Sequence, residues 1–205
     1  FDWIGLVLIC FVLPAVLSMI TVSLVFKQVF FYVLPAIGKA LGVEALSTNI
    51  LASKQNAIYG VLFVHLWQGV ALPTLLFLAG LQTIPTELYE AAAIDGANGW
   101  QVLTRVKLPM IMPSITICTF LTLTNGFKLF DQNLALTGGQ PYIINPDGTS
   151  VHTTEMLALN IYNTFYGQNT NARGTAQAKA VLFFILVAAI GLIQLNATRK
   201  KEVQQ

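Results

Sequence analysis

Glu87-Leu88-Tyr89-Glu90-Ala91-Ala92-Ala93-Ile94-Asp95-Gly96-Ala97 is a charged passage in a sequence whose neighbouring segments are almost entirely apolar. Pro85 suits the first turn of a helix, where its missing N–H is not needed, and Glu87 and Glu90 lie near the positive end of the helix dipole. Gly96 is the residue type that most easily adopts the left-handed conformation after a helix. The passage therefore predicts a short helix over residues 85–96.

A second amphipathic segment follows from Gly99 and is predicted to end at Pro109, because proline removes an intrahelical donor. Its apolar side carries Trp100, Leu103 and Val106. The two segments together predict a short helix, a turn and another short helix. The consecutive alanines leave the first helix narrow, so a groove of another protein can approach its backbone closely. Glu90 and Asp95 would supply directed charge, a pattern typical of a helix-in-groove ligand.

The composition indicates a membrane protein. Hydrophobic residues make up 55% of the chain and charged residues 10%, against about 25% charged residues in average soluble domains. The net charge of +2 gives no reason to expect nucleic acid as a partner. The phosphate-binding loop, the zinc-protease helix and the nucleophile elbow of hydrolases are not found in the sequence. His65 and His152 fall in different predicted environments, so we expect neither an enzyme site nor a metal site.

Four membrane spans are predicted from apolar runs long enough to cross the hydrocarbon core. The break at Lys27-Gln28 predicts the end of the first span, and the following residues Phe30, Phe31, Tyr32 and Leu34 predict an interfacial segment. We predict a single domain, residues 1–205, with spans near 4–26, 57–81, 110–130 and 176–195, a loop at 82–109 and segments on the other side at 27–56 and 131–174.

The long segment between the last two spans contains a predicted β-hairpin. Asp147-Gly148 is a turn signal, and it lies between the β-prone runs Tyr142-Ile143-Ile144 and Thr149-Ser150-Val151. The hairpin is either an ordinary loop or a contact for an extracellular partner. Residues 155–165 predict an amphipathic helix lying on the outer surface.

Polar side chains inside spans are costly, so they face a partner helix or a water-filled cavity. Three polar or small residues near the middle of the second span share one helical face, and three such residues of the third span likewise share one face. Each residue either contacts substrate or bonds to a neighbouring helix or to its own backbone. The candidates are His65, Gln68, Gly69, Thr122, Asn125 and Gly126.

Three motifs carry a family resemblance. Glu90-Ala91-Ala92, Asp95-Gly96-Ala97 and Leu108-Pro109 together resemble the signature cytoplasmic loop of the permease subunits of binding-protein-dependent ABC importers. The segments Leu78-Ala79-Gly80-Leu81-Gln82 and Leu136-Thr137-Gly138-Gly139 resemble the carbohydrate-importing branch, of maltose or multiple-sugar type. The fold class implied is an all-α membrane protein, a polytopic helical bundle with at least four spans here and a cytoplasmic coupling helix.

The resemblance implies a subunit that is not itself an enzyme and couples to ATP hydrolysis elsewhere. Partner ATP-binding cassette subunits would bind ATP and Mg. The other implied partners are a second permease subunit, a solute-binding protein outside the cell and the lipid bilayer of a bacterial-type plasma membrane. The second permease subunit is either a homologous chain, in a heterodimer, or an identical one. The counts of Lys and Arg do not orient the chain, but the resemblance places the coupling loop and the C-terminus in the cytoplasm. The implied coupling residues are Glu90, Ala91, Ala92, Asp95, Gly96, Leu108 and Pro109.

In the carbohydrate importers, the positions matching His65, Gly69, Thr122 and Gly126 contribute to a sugar site midway through the bilayer. This sequence departs from the pattern, since it has Gly126 where relatives have asparagine, with Asn125 one residue earlier. Glycerol phosphate or a polyol is an alternative solute. An uncoupled channel or a scaffold subunit is an alternative function. The resemblance also implies two further helices upstream of the first span, which a gene sequence with Met next to Phe1 would refute.

Overall fold

The computed structural model describes residues 12–167 and 172–199. These residues are mostly helical, and residues 12–16 form a first helical turn. Single turns of 3-10 helix lie at Glu44–Leu46 and Ile50–Ala52. The longer elements, in chain order, are α1 Met19–Leu41, α2 Ala57–Gln82, α3 Thr86–Ile94, α4 Gly99–Met110, α5 Met112–Phe127, α6 Asp131–Leu136, β1 Tyr142–Ile144, β2 Ser150–His152, α7 Leu157–Tyr166 and α8 Arg173–Arg199.

Three helices in the described part of the chain are long and apolar enough to cross a membrane: α1, α2 and α8, with 23, 26 and 27 residues. About 20 residues suffice for a crossing. Helices α4 and α5 pass the same test only as a pair and are bent by 69° at their junction. The structure thus has three candidate spans, or four if the bent pair forms one.

The first span differs from the prediction. The helix that contains Lys27 does not end there but runs from Met19 to Leu41, so the segment predicted to be interfacial is helical. Pro35 is accommodated because residues Val29–Val33 form a wider π-helical turn, in which Leu34 N–H bonds to the carbonyl of Val29. The helix is interrupted earlier, at residues 17–18. Residues 4–11 of the predicted span lie outside the described residues.

The third span also differs from the prediction. Pro109 does not end the second short helix, because a π-helical turn at Leu103–Lys107 precedes it and α4 continues to Met110. The bend comes at Ile111, whose φ of −93° and ψ of 8° leave the helical region. Helix α5 then ends at Phe127, three residues before the predicted end.

The remaining elements lie close to their predicted positions. Helix α2 begins at the predicted residue and ends one residue later than predicted, and α8 extends beyond the predicted span at both ends. Strands β1 and β2 pair antiparallel, with Tyr142 opposite His152 and Ile144 opposite Ser150. Helix α7 falls in the region predicted to be an amphipathic helix.

The contacts divide the chain, predicted as one domain, into two compact units. The first comprises Phe1–Val70 and Phe127–Phe183, and the second comprises Ala71–Gly126 and Phe184–Gln205. In the first unit, the short helix α6 packs against α1 and the first half of α2. The core of this unit consists of Val22, Phe30, Leu51, Val61, Val64, Leu129 and Leu136.

The second unit contains the short helices α3 and α4. Its buried side chains include Ile84, Ala92, Ile111, Thr116 and Cys118. Helix α2 approaches α5 closely at Gly80, where an added Cβ would lie 2.6 Å from Ser114 Oγ. A side chain at this position would require the Ser114 hydroxyl to rotate away and the Ser114 Cβ to shift by a few tenths of an ångström.

Candidate functional site

Helices α3 and α4, residues 86–110, form a helical hairpin within the second unit. Gly96 has a φ of 70° and occupies the left-handed position that the sequence predicts for it. Gly96 N–H bonds to the carbonyl of Ala93 at 3.1 Å, and Ala97 N–H bonds to the carbonyl of Ala92 at 2.9 Å. This pair of bonds is the Schellman arrangement, which satisfies the last carbonyls of α3 and turns the chain toward α4.

Helix α4 begins with a capping box that the sequence analysis missed. Gln101 N–H donates to Asn98 Oδ1 at 2.9 Å, and Asn98 N–H donates to Gln101 Oε1 at 2.8 Å. The spacing of an asparagine and a glutamine three residues apart is the signal that predicts it. The capping box fixes where α4 starts relative to the turn at Gly96.

A cation–π contact joins the two helices of the helical hairpin, and one alanine of α3 is buried. The ammonium group of Lys107 lies 5.5 Å from the ring centroid of Tyr89, within the range of a cation–π interaction. The side chain of Ala92 is only 9% exposed in this chain alone. Ala92 therefore faces the interior of its own unit, and its role in the close approach of a partner stays a prediction. Because successive helical residues differ by about 100°, the adjacent Ala91 faces outward.

The outward face of α3 centres on Ile94, whose side chain is 87% exposed. Glu90, Ala91 and Asp95 are exposed beside it. At the start of α4, Trp100 is 72% exposed. Large apolar side chains exposed between charged groups are typical of a surface that another protein covers. Ile94 was not among the predicted coupling residues, although it is the one large apolar residue among the alanines that precede Asp95.

Leu108 and Pro109, the last predicted coupling residues, lie at the far end of the helical hairpin. Leu108 is partly exposed. Pro109 lines a cavity of ≈ 440 Å³ in the second unit, near the bend between α4 and α5. The other lining residues are Leu76, Ala79, Gly80, Thr83, Met110, Pro113 and Ser114.

The predicted path residues of α2 belong to the first unit. His65 Nδ1 lies 3.2 Å from Oε1 of Gln132 on α6. Gln132 is 1% exposed, and its Nε2 has no hydrogen-bond partner among the described residues. The sequence analysis missed Gln132 because this residue falls outside the predicted spans, and no local motif marks it.

The next two candidates on α2 have different surroundings. Gln68 is 6% exposed, and its Nε2 donates to the carbonyl of Leu17 at 2.9 Å, so it ties α2 to the break that precedes α1. Gly69 is exposed, and an added Cβ there would meet no atom within 4 Å. Trp67, between them, packs edge-on against Phe26 with ring centroids 5.0 Å apart.

The predicted path residues of α5 belong to the second unit. Thr122 and Asn125 are exposed on α5, and Gly126 is half-buried with open space at its Cβ position. Contact of these residues with a substrate remains a prediction.

A buried asparagine organises the segment after α6. Asn133 Nδ2 donates to the carbonyl of Thr154 at 2.8 Å, and Asn133 Oδ1 accepts from Met156 N–H at 3.2 Å. Thr154 Oγ1 bonds to Thr137 Oγ1 and to the carbonyl of Gln140, both at 2.8 Å. These bonds hold the ends of the β-hairpin segment next to α6.

The tip of the β-hairpin is a polar turn with apolar strands behind it. Thr149 donates to Asp147 Oδ1 through both its hydroxyl and its N–H, and these bonds lower the pKa of the Asp147 carboxyl. They favour the ionised form, so their stabilising effect is present above the carboxyl's ordinary pKa and is lost as the pH falls through the lowered one. Ile144 and Val151 are exposed on the strands.

A polar cluster joins α7 to α8. Lys179 Nζ donates to Asn160 Oδ1 and Thr164 Oγ1, both at 2.8 Å. Asn160 Nδ2 in turn donates to Glu155 Oε2 at 2.8 Å, and Asn163 bonds to the other oxygen of the same carboxylate. The charge of Lys179, within α8, is thus met by polar groups of α7 rather than left unpaired.

The chain is similar to membrane components of transport systems. It is 46% identical over 193 residues to the multiple sugar-binding transport system permease protein of Streptococcus mutans, over 94% of this chain and 63% of that protein. It is 37% identical over 194 residues to the probable starch degradation products transport system permease protein of Thermoanaerobacterium thermosulfurigenes, over 95% of this chain and 62% of that protein. The chain thus spans about three fifths of the length of these relatives.

The fold is similar to that of one chain in the crystal structure of a bacterial alginate ABC transporter in complex with an alginate pentasaccharide-bound periplasmic protein. The TM-score is 0.70 at 21% sequence identity, and the match covers 95% of this chain and 63% of the other. The sequence profile described as binding-protein-dependent transport system inner membrane component matches residues 3–202. The chain therefore belongs to the family of inner membrane components of binding-protein-dependent transport systems.

Proposed function

We propose that this chain is a permease subunit of an ABC importer that carries a sugar or oligosaccharide across the membrane. A separate ATP-hydrolysing subunit would bind ATP and Mg, and a second permease subunit and a solute-binding protein would complete the importer. The observation that carries the proposal is the exposed helical hairpin with Ile94, Glu90 and Ala91 on its outer face, in a chain of this family.

The names of the two relatives support a carbohydrate as the substrate class, because they refer to multiple sugars and to starch degradation products. The residues available on α2 and α5 suit such a solute. Imidazole, hydroxyl and amide groups bond to sugar hydroxyls, and these groups are present at His65, Thr122 and Asn125.

The helical hairpin is suited to transmit force. The turn at Gly96, the capping box at Asn98 and the contact between Lys107 and Tyr89 tie α3 and α4 together, so the two helices would move as one body. A cytoplasmic ATPase groove that covers Ile94 would push this body when it closes on ATP. The movement would reach the spans through the bend at Ile111 and open the path alternately to each side.

The test is ATP-driven uptake of maltose, a starch degradation product, by the importer assembled from this chain and its partner subunits in liposomes. Ala91→Trp adds bulk about 60° around α3 from Ile94, within the proposed contact. We expect uptake and ATP hydrolysis stimulated by the solute-binding protein to fall by about tenfold or more, as expected when a hot-spot contact is lost.

The matched control is Ala93→Trp, which places the same bulk at an exposed alanine about 100° from Ile94, toward the flank of the helix. We expect this variant to retain uptake within about twofold, a change comparable to that of surface substitutions elsewhere. Equal uptake by both variants and the wild-type importer would contradict the coupling role. ATPase activity in the wild type without uptake of maltose or of any other mono- or oligosaccharide would contradict the substrate class.

A further inference from the structure

We propose that Gln132 is a positioning residue that holds His65 in the tautomer with the proton on Nδ1. In this tautomer Nε2 is an acceptor, and we assign to it a sugar hydroxyl that donates a hydrogen bond. The inference rests on the proposed function for its substrate. The assignment of the tautomer stands on the geometry of the two side chains alone.

The polarity of the contact follows from the chemistry of its atoms. The atom of Gln132 that lies 3.2 Å from His65 Nδ1 is the carbonyl oxygen Oε1, which can only accept a hydrogen bond. With the amide in this orientation, a hydrogen bond at this distance requires the proton on Nδ1, whereas the reverse orientation of the amide would require an unprotonated Nδ1. When Nδ1 of a neutral imidazole carries the proton, the other nitrogen, Nε2, is unprotonated and accepts.

Gln132 is held firmly enough to impose this choice. Its side chain is 1% exposed on a short helix that packs against α1 and α2. The next residue, Asn133, is fully buried and bonded to the backbone of Thr154 and Met156. Leu136, one turn later, is also buried in the core. Helix α6 therefore presents the Gln132 amide to His65 from a packed position.

The amide carries a cost that packing alone does not explain. Gln132 Nε2 is buried without a hydrogen-bond partner among the described residues, and such a group destabilises the folded state. Methionine has nearly the same length and would fill the space without that cost. A polar residue that breaks a packing rule in this way is expected where a functional contact requires it.

Open space lies beside Gly69, one helical turn from His65. His65 is half-buried, and Gly69 lies one turn further along the same face of α2. Gly69 is exposed, and an added Cβ there would have no neighbour within 4 Å. A sugar hydroxyl beside Gly69 would face an imidazole in which Nε2 is already the acceptor nitrogen. The His65 side chain would then lose less conformational freedom when the sugar binds.

The tautomer is measured by nitrogen-15 NMR of histidine in the assembled importer. The chain is labelled with ¹⁵N-histidine and combined with unlabelled partner subunits in lipid nanodiscs. His152→Ala leaves His65 as the single imidazole of this sequence. We expect a protonated Nδ1 and an unprotonated Nε2 in this background, and loss of that single state with Gln132→Met. The matched control is Leu136→Met, a volume-conserving change at another buried position of α6, which should preserve it.

ATP-driven maltose uptake is then compared in the same proteins. A hydrogen bond corresponds to about a tenfold change in an equilibrium constant, so Gln132→Met should slow uptake by about tenfold and Leu136→Met by less than twofold. Protonated Nε2 in the His152→Ala chain would overturn the proposal, because the Gln132 amide would then donate rather than accept. An unchanged tautomer in Gln132→Met would overturn it as well. An altered tautomer with unaltered uptake would overturn the role in sugar recognition. If the wild-type importer carries neither maltose nor any other mono- or oligosaccharide, the proposed function fails on its own, while the NMR result still decides the tautomer.

Discussion

Single residues set the geometry of the helical hairpin. Gly96 adopts a φ of 70°, in a region that residues with a side chain enter only at a cost of about 1–2 kcal/mol. Three residues later, Gly99 is the first residue of α4, where no such conformation is needed. Two glycines of the same hairpin therefore have opposite tolerances for substitution.

Gly96→Pro is expected to abolish coupling, and Gly99→Pro is expected to preserve it. Proline fixes φ near −65°, which is incompatible with the turn, and it removes the N–H that bonds to Ala93. At Gly99 proline occupies the first position of a helix, which it favours, after an Asn98 that is already extended. We expect ATP-driven uptake to fall more than about tenfold in the first variant and to stay within about twofold in the second. Immunoblots of the membrane fraction provide the control for insertion, and normal uptake in Gly96→Pro would refute the role of the turn.

At the scale of elements, the apolar pattern predicts the existence of the long helices better than their ends. Helix α2 and the turn at Gly96 lie where the sequence indicates them, because a long apolar run and a glycine after a helix act locally. The end of α1 does not, because a π-helical turn lets this helix pass through Pro35. Whether a helix adopts a π-helical turn depends on its packing against other elements, which cannot be inferred from the local sequence.

The cluster around Lys179 is also set by packing between elements. We expect Lys179→Met to loosen α7 from α8, because the ammonium group bonds to Asn160 and Thr164 of α7. Hydrogen bonds to a charged group that is half-buried contribute about 1–2 kcal/mol after solvent screening, which corresponds to roughly fivefold to thirtyfold faster local opening.

Hydrogen exchange of the amides in Leu157–Tyr166 measures this opening. Lys128→Met is the control, since Lys128 is an exposed lysine just beyond α5. Equal exchange rates in the two variants and the wild type would show that the Lys179 cluster does not hold α7.

Some candidate path residues stand out in the sequence because their chemistry and spacing coincide, and their contact with a substrate stays a prediction. His65, Gly69, Thr122 and Asn125 are recognisable as polar or small residues inside apolar helices. The burial of Gln132 and the exposure of Ile94 are not recognisable in the sequence, because both depend on how the helices pack. The inward orientation of Ala92 likewise depends on which face of α3 packs against its own unit.

At the scale of the whole molecule, the proposed function requires one membrane crossing between the helical hairpin and the β-hairpin. The bent pair α4 and α5 is the element that must provide it, and a bend of 69° is equally typical of a re-entrant loop that returns to the same side. Ile94 precedes this pair and Ile144 follows it, and both side chains are exposed. Labelling at these two positions therefore shows on which side of the membrane each end of the pair lies.

Single cysteines at these two positions distinguish a crossing from a re-entrant loop. In a background with Cys10→Ser and Cys118→Ser, we expect Ile94→Cys to react with a membrane-impermeant maleimide only in inverted vesicles, and Ile144→Cys only in intact spheroplasts. Co-expression of the ATP-hydrolysing subunit should protect Ile94→Cys, because the proposed groove covers it. Reaction of both cysteines from one side would mean that α4 and α5 do not cross. Reaction of Ile94→Cys from outside the cell would exclude contact with a cytoplasmic ATPase, because the helical hairpin and the nucleotide would then lie on opposite sides of the bilayer.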